Sequence, residues 1–218
     1  MVTLVDSDFF GQSSNYVLEI NILEGKYAGR SVTSDMYKAV RQTVQFTVEN
    51  SSIRYGVVRH YDTNKAWNCS NLNTGESNSW IVNNDELGDG VYVWSVNCDD
   101  NGRADPDGGW QEGRVRSAFN PYSDDNNRRY VANIASHEGL HPHLYGNSCS
   151  RVVDNEHLLG ASRTTTTGED KWTPMATGGN PRNGNCWTDA ARDGFTNNPT
   201  NCTLRALENS RDHERGDH

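Results

Sequence analysis

Apolar positions fall in short bursts along this chain, and the spacing inside each burst predicts the element it forms. Tyr16-Val17-Leu18-Glu19-Ile20-Asn21-Ile22 mixes aromatic and β-branched residues and predicts a first strand. Ser34-Asp35 reads as a helix start; Met36, Ala39, Val40, Val44 and Phe46 follow at near-helical spacing until polar Asn50-Ser51-Ser52 closes the element. Residues 53–61 (IRYGVVRHY) predict a second strand, so the order opens β-α-β. Residues 62–89 carry clusters of Asn, Asp, Ser and Gly and predict loop, with Trp80-Ile81-Val82 as a short strand inside it. Residues 90–96 (GVYVWSV) predict a buried strand.

The second half is more polar. Residues 99–109 form an Asp/Gly/Asn-rich surface loop, and residues 113–119 predict a short edge strand that could offer its backbone to an extended peptide. Ser123 caps a helix whose first turn holds Asp124 and Asp125, running to about His141. Beyond Pro142 little regular structure is expected before a short helix at residues 202–209. Residues 1–10 and 210–218 read as frayed ends. With no repeat and no linker between two patterned halves, residues 1–218 read as one domain.

Composition narrows the function. Hydrophobic residues make up 33% of the chain, which suits a globular domain with long polar loops. The formal charge of −9, from 29 acidic and 20 basic residues, argues against nucleic acid as the main partner, because phosphate binding needs a basic face. No stretch approaches the ~20 apolar residues of a membrane span. Lysine occurs only at Lys26, Lys38, Lys65 and Lys171, and an acidic, lysine-poor, asparagine-rich surface suits an extracellular setting. Residues 1–10 lack the basic start and apolar core of a signal peptide, so a cytoplasmic location stays open beside the extracellular one.

One motif carries chemistry. His137-Glu138-Gly139-Leu140-His141 sets two histidines one helical turn apart, so both imidazoles project from one face and can share an ion. Glu138 is rotated away from that ion but can reach a water beside it and act as general base. With 7 His among 218 residues, chance supplies such a motif roughly 0.01 times. Tyr130, Ile134, His137 and His141 step by one turn each, so the histidines continue an apolar stripe and face the interior. A catalytic zinc needs a third protein ligand. His157 is the first choice, with Glu156 and then Asp154 as alternatives. Asp99, Asp100, Asn101, Asp105 and Asp107 are candidate Ca2+ ligands, although their spacing does not match an EF-hand and a solvated turn is the plainer reading.

With its HExxH run, a candidate third ligand at His157 and then Thr173-Pro174-Met175-Ala176, the chain resembles the zincin metallopeptidases, and more narrowly the metzincins. In that group a methionine-bearing turn follows the third histidine and lies beneath the metal, which gives Met175 its expected role. The resemblance implies an α+β fold: a zincin-like domain with a mixed β-sheet packed on the active-site helix and a loop-rich C-terminal part. It implies a Zn2+-dependent endopeptidase acting on peptide or protein substrates through metal-activated water, with Glu138 as base. The chain departs from the usual run, with Leu144 and Asn147 where a glycine and the third histidine are usual, so His157 has to return through a longer loop. Two other readings stand beside this one: a catalytically inactive zincin scaffold used for binding, and a gluzincin-type peptidase with Glu156 as third ligand. A secreted structural domain held by disulfides would leave the paired histidines unexplained.

Five cysteines (Cys69, Cys98, Cys149, Cys186, Cys202) include no C-x-x-C pair, which argues against a cysteine-only zinc site. In an oxidising compartment, Cys149, Cys186 and Cys202 are expected to contribute at least one disulfide. Mass spectrometry of alkylated, unreduced protein should therefore find fewer than five modified thiols; five would favour the cytoplasmic location.

Overall fold

Leu18–Gly25 (β2) is buried along almost its whole length and alternates its side chains between two apolar clusters, as a strand covered on both faces must. A computed structural model of the protein describes residues 1–14, 16–28, 30–67, 74–87, 90–96, 103–104, 116–121, 135–144, 152–153, 157–159, 162–164, 170–177 and 196–215. Around β2 runs a six-stranded mixed sheet in the order β1-β3-β2-β4-β6-β5, with β1 Thr3–Gly11, β3 Tyr55–Lys65, β4 Val91–Val96, β5 Arg103–Ala104 and β6 Arg116–Pro121. The inner strands β3, β2, β4 and β6 are mutually parallel, and the outer strands β1 and β5 are antiparallel to their neighbours.

Helix α1 (Arg30–Asn50) connects β2 to β3, the expected β-α-β unit. It begins before Ser34 because the apolar stripe does: Val32 and Met36, one turn apart, are both buried. Leu18, Ile20, Ile22, Val58 and Val93 face α1 in one cluster, together with Leu140, Met175 and Leu207. Leu23, Tyr92, Trp94 and Val96 face the other way, under α2 (Thr74–Val82). There Trp94 lies 4.8 Å from Trp67 and 5.3 Å from Trp80 between ring centroids, and the Lys65 ammonium stands 5.0 Å from both outer indoles. The molecule is thus α+β, with helices on both faces of a mixed sheet. Among the described residues no helix is long and apolar enough to cross a membrane.

Several expectations are corrected. Trp80-Ile81-Val82 is the end of a helix: Ser77 and Ile81 are buried one turn apart while Val82 is exposed, a period that three residues alone could not reveal. Residues 116–121 are an interior strand, hydrogen-bonded to β4 and, at Ala118 and Phe119, to β5; those two have no open edge for a peptide, and the edge is β5. Residues 3–11 form a paired strand rather than a loose end. Asp8 accepts hydrogen bonds from Tyr37 Oη (2.9 Å) and Arg41 Nε (2.7 Å) on α1, holding β1 to the helix. Burial first, then the hydrogen bond to Asp8 and the charges of Asp8 and Asp6, push the Tyr37 phenol above its ordinary pKa, so it keeps the proton it donates.

The C-terminal part also holds more structure than expected. Short strands β7 (Val152–Val153), β8 (His157–Leu159) and β11 (Ala176–Thr177) form one small sheet, and β9 (Ser162–Thr164) pairs with β10 (Asp170–Trp172). Helix α4 spans Asn201–Arg215, so residues 210–215 are helical rather than frayed. Thr200 Oγ1 accepts from the Thr203 amide at 3.2 Å and caps its start. Thr203, Leu204, Ala206 and Leu207 give it one buried face.

Residues 135–140 form the described part of helix α3, and Ala135 to Leu144 are all buried. A Cβ built on Gly139 would lie 2.6 Å from Ile20 Cγ2 and 3.3 Å from Val93 Cγ2, so α3 lies on the sheet at a distance only glycine permits. In Gly139→Ala the helix propensity gained is about 1 kcal/mol, while forcing a methyl against fully buried Ile20 costs about 1–3 kcal/mol. A net loss of about 1 kcal/mol, the middle of the roughly 0–2 kcal/mol these terms span, is expected and is measurable by urea unfolding. An unchanged or raised midpoint would show that α3 can back away from the sheet.

Candidate metal centre on helix α3

The helix reaches its position through three contacts. Gly139 sets the distance to β2 and β4, Leu140 enters the core, and Ser136 Oγ lies 2.9 Å from Thr43 Oγ1 on α1. Thr43 Oγ1 is also 2.7 Å from Asn197 O, so one hydroxyl joins α1, α3 and the approach to α4. At Pro142 the α-helix gives way to a 3-10 turn, His141–His143, with the proline in its first turn. This is the early helix end expected from Pro142.

That change of helix does not separate the histidines. His137 and His141 are 4% and 8% exposed, their rings meet edge to face at a centroid distance of 4.5 Å, and the two Nε2 atoms are 2.9 Å apart. On the far side of its ring, His137 Nδ1 lies 2.6 Å from Pro174 O, which can only accept. Nδ1 of His137 therefore carries a proton and donates it, and Nε2 faces His141. A ring nitrogen tied to a backbone carbonyl, with the other nitrogen aimed inward, is the arrangement a histidine ligand adopts. Two imidazole nitrogens so placed are donors of the kind a zinc ion takes. Glu138, 5% exposed, lies between them in sequence on the same buried segment.

Thr173-Pro174-Met175 forms the link between β10 and β11, and all three are buried. Met175 belongs to the same apolar cluster as Leu140 and Ile20. β11 pairs in parallel with β8 in the register Ala176↔Leu158. His157 precedes Leu158, so its backbone sits at the end of this small sheet where Met175 enters β11. Of His157 only the backbone is described, and Glu156, Asp154 and the five candidate calcium ligands lie outside the described residues. Among the described residues no three His, Cys, Asp or Glu side chains gather in a metal-holding group.

Two contacts were not read from the sequence. The Pro174 carbonyl is 37 positions from His137 and belongs to the backbone, which carries no residue-type signal. His143 is fully buried, and its Nε2 donates to Glu19 O at 2.8 Å, tying the 3-10 turn to the start of β2. No family model matches the chain, and no curated protein matches it.

His143 is thus tied to the sheet through its Nε2. His143→Ala should lower stability by about 1–2 kcal/mol, the cost of a lost buried hydrogen bond, and leave bound metal unchanged. Denaturant unfolding together with elemental analysis reads both; loss of metal at normal stability would make His143 a ligand.

Proposed function

We propose that this protein is a zinc-dependent endopeptidase of the zincin type, metzincin-like in its floor turn. The observation that carries the reading is the convergence of His137 Nε2 and His141 Nε2 at 2.9 Å, with His137 Nδ1 held by the turn that bears Met175. The mixed sheet packed on α3 supports the zincin-like reading of the domain, and the parallel pairing of β8 with β11 supports His157 as third ligand.

His137, His141 and His157 would hold the ion, which when bound lowers the pKa of a water towards ~7 and polarises the scissile carbonyl. Glu138 takes the proton of the attacking water and passes it to the leaving amine. Its burial raises the worth of that proton transfer, because nearby bulk water does not screen the carboxylate. The net charge of −9 fits a peptide substrate rather than a polyanion.

The purified protein should carry about one zinc per chain, the stoichiometry of a mononuclear catalytic site. His137→Ala should lose the metal, whereas Glu138→Gln should keep it and lose cleavage of an unstructured protein substrate by about 100-fold or more. His157→Ala should abolish most zinc affinity while Glu156→Ala retains it. The reverse pattern would give a gluzincin-type site, and zinc binding with no cleavage by the unaltered protein would leave a binding module. Absence of any transition metal after chelator-free purification would end the proposal.

A further inference from the structure

A single hydroxyl on α1 ties the helix of the paired histidines to the C-terminal segment. We infer that Thr43 is a positioning residue for α3, acting through a relay of hydrogen bonds with one direction. Ser136 Oγ donates to Thr43 Oγ1, and Thr43 donates to the Asn197 carbonyl. The consequence for zinc rests on the peptidase reading; the order of donation does not.

That order follows from a count of hydrogens. Thr43 Oγ1 lies 2.7 Å from Asn197 O, 2.9 Å from Ser136 Oγ and 3.1 Å from Ala39 O. Its hydroxyl has one hydrogen for these three contacts. A carbonyl oxygen only accepts, and two oxygens 2.7 Å apart repel unless a hydrogen lies between them, so the Thr43 hydrogen points to Asn197 O. The contact to Ala39 O, one turn back on α1, is the longest of the three. The 2.9 Å contact to Ser136 then needs the Ser136 hydrogen. Both side chains are fully buried, so bulk water offers neither hydroxyl another partner.

The relay supplies what packing leaves open. Gly139 lets α3 come down onto Ile20 and Val93, but it has no side chain to stop the helix sliding over them. Ser136, one residue before His137, adds a directional bond to α1 in the same turn. The far end of the relay is held as well: Asn197 Nδ2 donates to Gln42 Oε1 at 3.3 Å, and Gln42 Nε2 donates to Asn198 Oδ1 at 3.1 Å. Leu207 of α4 joins Leu140 of α3 in one apolar cluster. The segment leading into α4 thus helps to place histidines that belong to another helix.

The test compares T43V, T43S, S136A and the T43V/S136A double variant in the full chain. Urea unfolding of the chelator-treated proteins reads the order of donation. T43V strands the buried Ser136 hydrogen and the Asn197 oxygen and should lower the midpoint, whereas S136A strands no hydrogen and should shift it little. The double variant removes the stranded donor and should unfold at a higher midpoint than T43V. A loss in S136A as large as in T43V, or a double variant no better than T43V, would overturn the order. S136A alone judges it should T43V not fold.

Zinc affinity of the folded variants, by competition with a chromophoric chelator, reads the positioning. T43V and S136A remove the same tether, so each should weaken zinc about 3- to 30-fold, and the double variant no more than either. T43S keeps the hydroxyl and should bind as the unaltered protein does. Unaltered affinity in S136A, or a T43S as weak as T43V, would make Thr43 a stability residue only. An unaltered protein that binds no zinc would overturn the peptidase reading, with the unfolding series still judging the relay.

Discussion

The closeness of α3 to the sheet governs the rest of the site. At Gly139 the helix touches Ile20 and Val93 where a single methyl would collide, and this contact fixes both the depth and the rotation of residues 135–144. The rotation brings His137 to the turn at residues 173–175 and His141 against His137. The depth buries every residue of that segment, so each polar group on it needs a partner. Ser136 has one on α1, His143 on β2, and His137 in the turn. The glycine inside HExxH therefore does structural work that the motif's chemistry does not ask of it.

Burial also decides how the neighbouring elements are held. The α1 face of the sheet carries polar residues among its apolar ones: Glu24 accepts from His60 Nε2 at 2.8 Å, and Thr33 Oγ1 lies 2.9 Å from Ser95 Oγ. Each joins two elements by a directional bond where apolar packing alone would tolerate sliding. The same logic holds at the edge, where Asp8 is shared by Tyr37 and Arg41. Position is specified by polar contacts laid across an apolar core, and the candidate metal centre sits at the end of that lattice.

What could be read from the sequence was what is local. The four-residue step from His137 to His141 holds because the segment up to Leu140 is α-helical and the 3-10 turn begins only at His141. Strands β2 and β4 and helix α1 announced themselves by period, and their β-α-β order followed. What was missed depends on partners distant in the chain. Strand β1 reads as a frayed end until Tyr37 and Arg41 engage Asp8, and residues 116–121 look like an edge until β5 pairs with them. Trp80-Ile81-Val82 was too short to distinguish a period of two from one near four. The acceptor for His137 was invisible in principle, since every residue has a carbonyl and only the fold says which one arrives.

The opposite face of the sheet has a property that the site lacks. Trp67, Trp80 and Trp94 form a closed triangle with centroid separations of 4.8 to 5.8 Å, close enough for their excited states to mix. Indoles so coupled produce paired circular-dichroism bands of opposite sign, a signal that scattered tryptophans do not make. Because Trp94 belongs to β4 while Trp80 belongs to α2, the signal reports whether that helix is seated on the sheet. The molecule thus carries an intrinsic optical gauge on the face away from its histidines, and loosening of α2 can be followed separately from any change around α3.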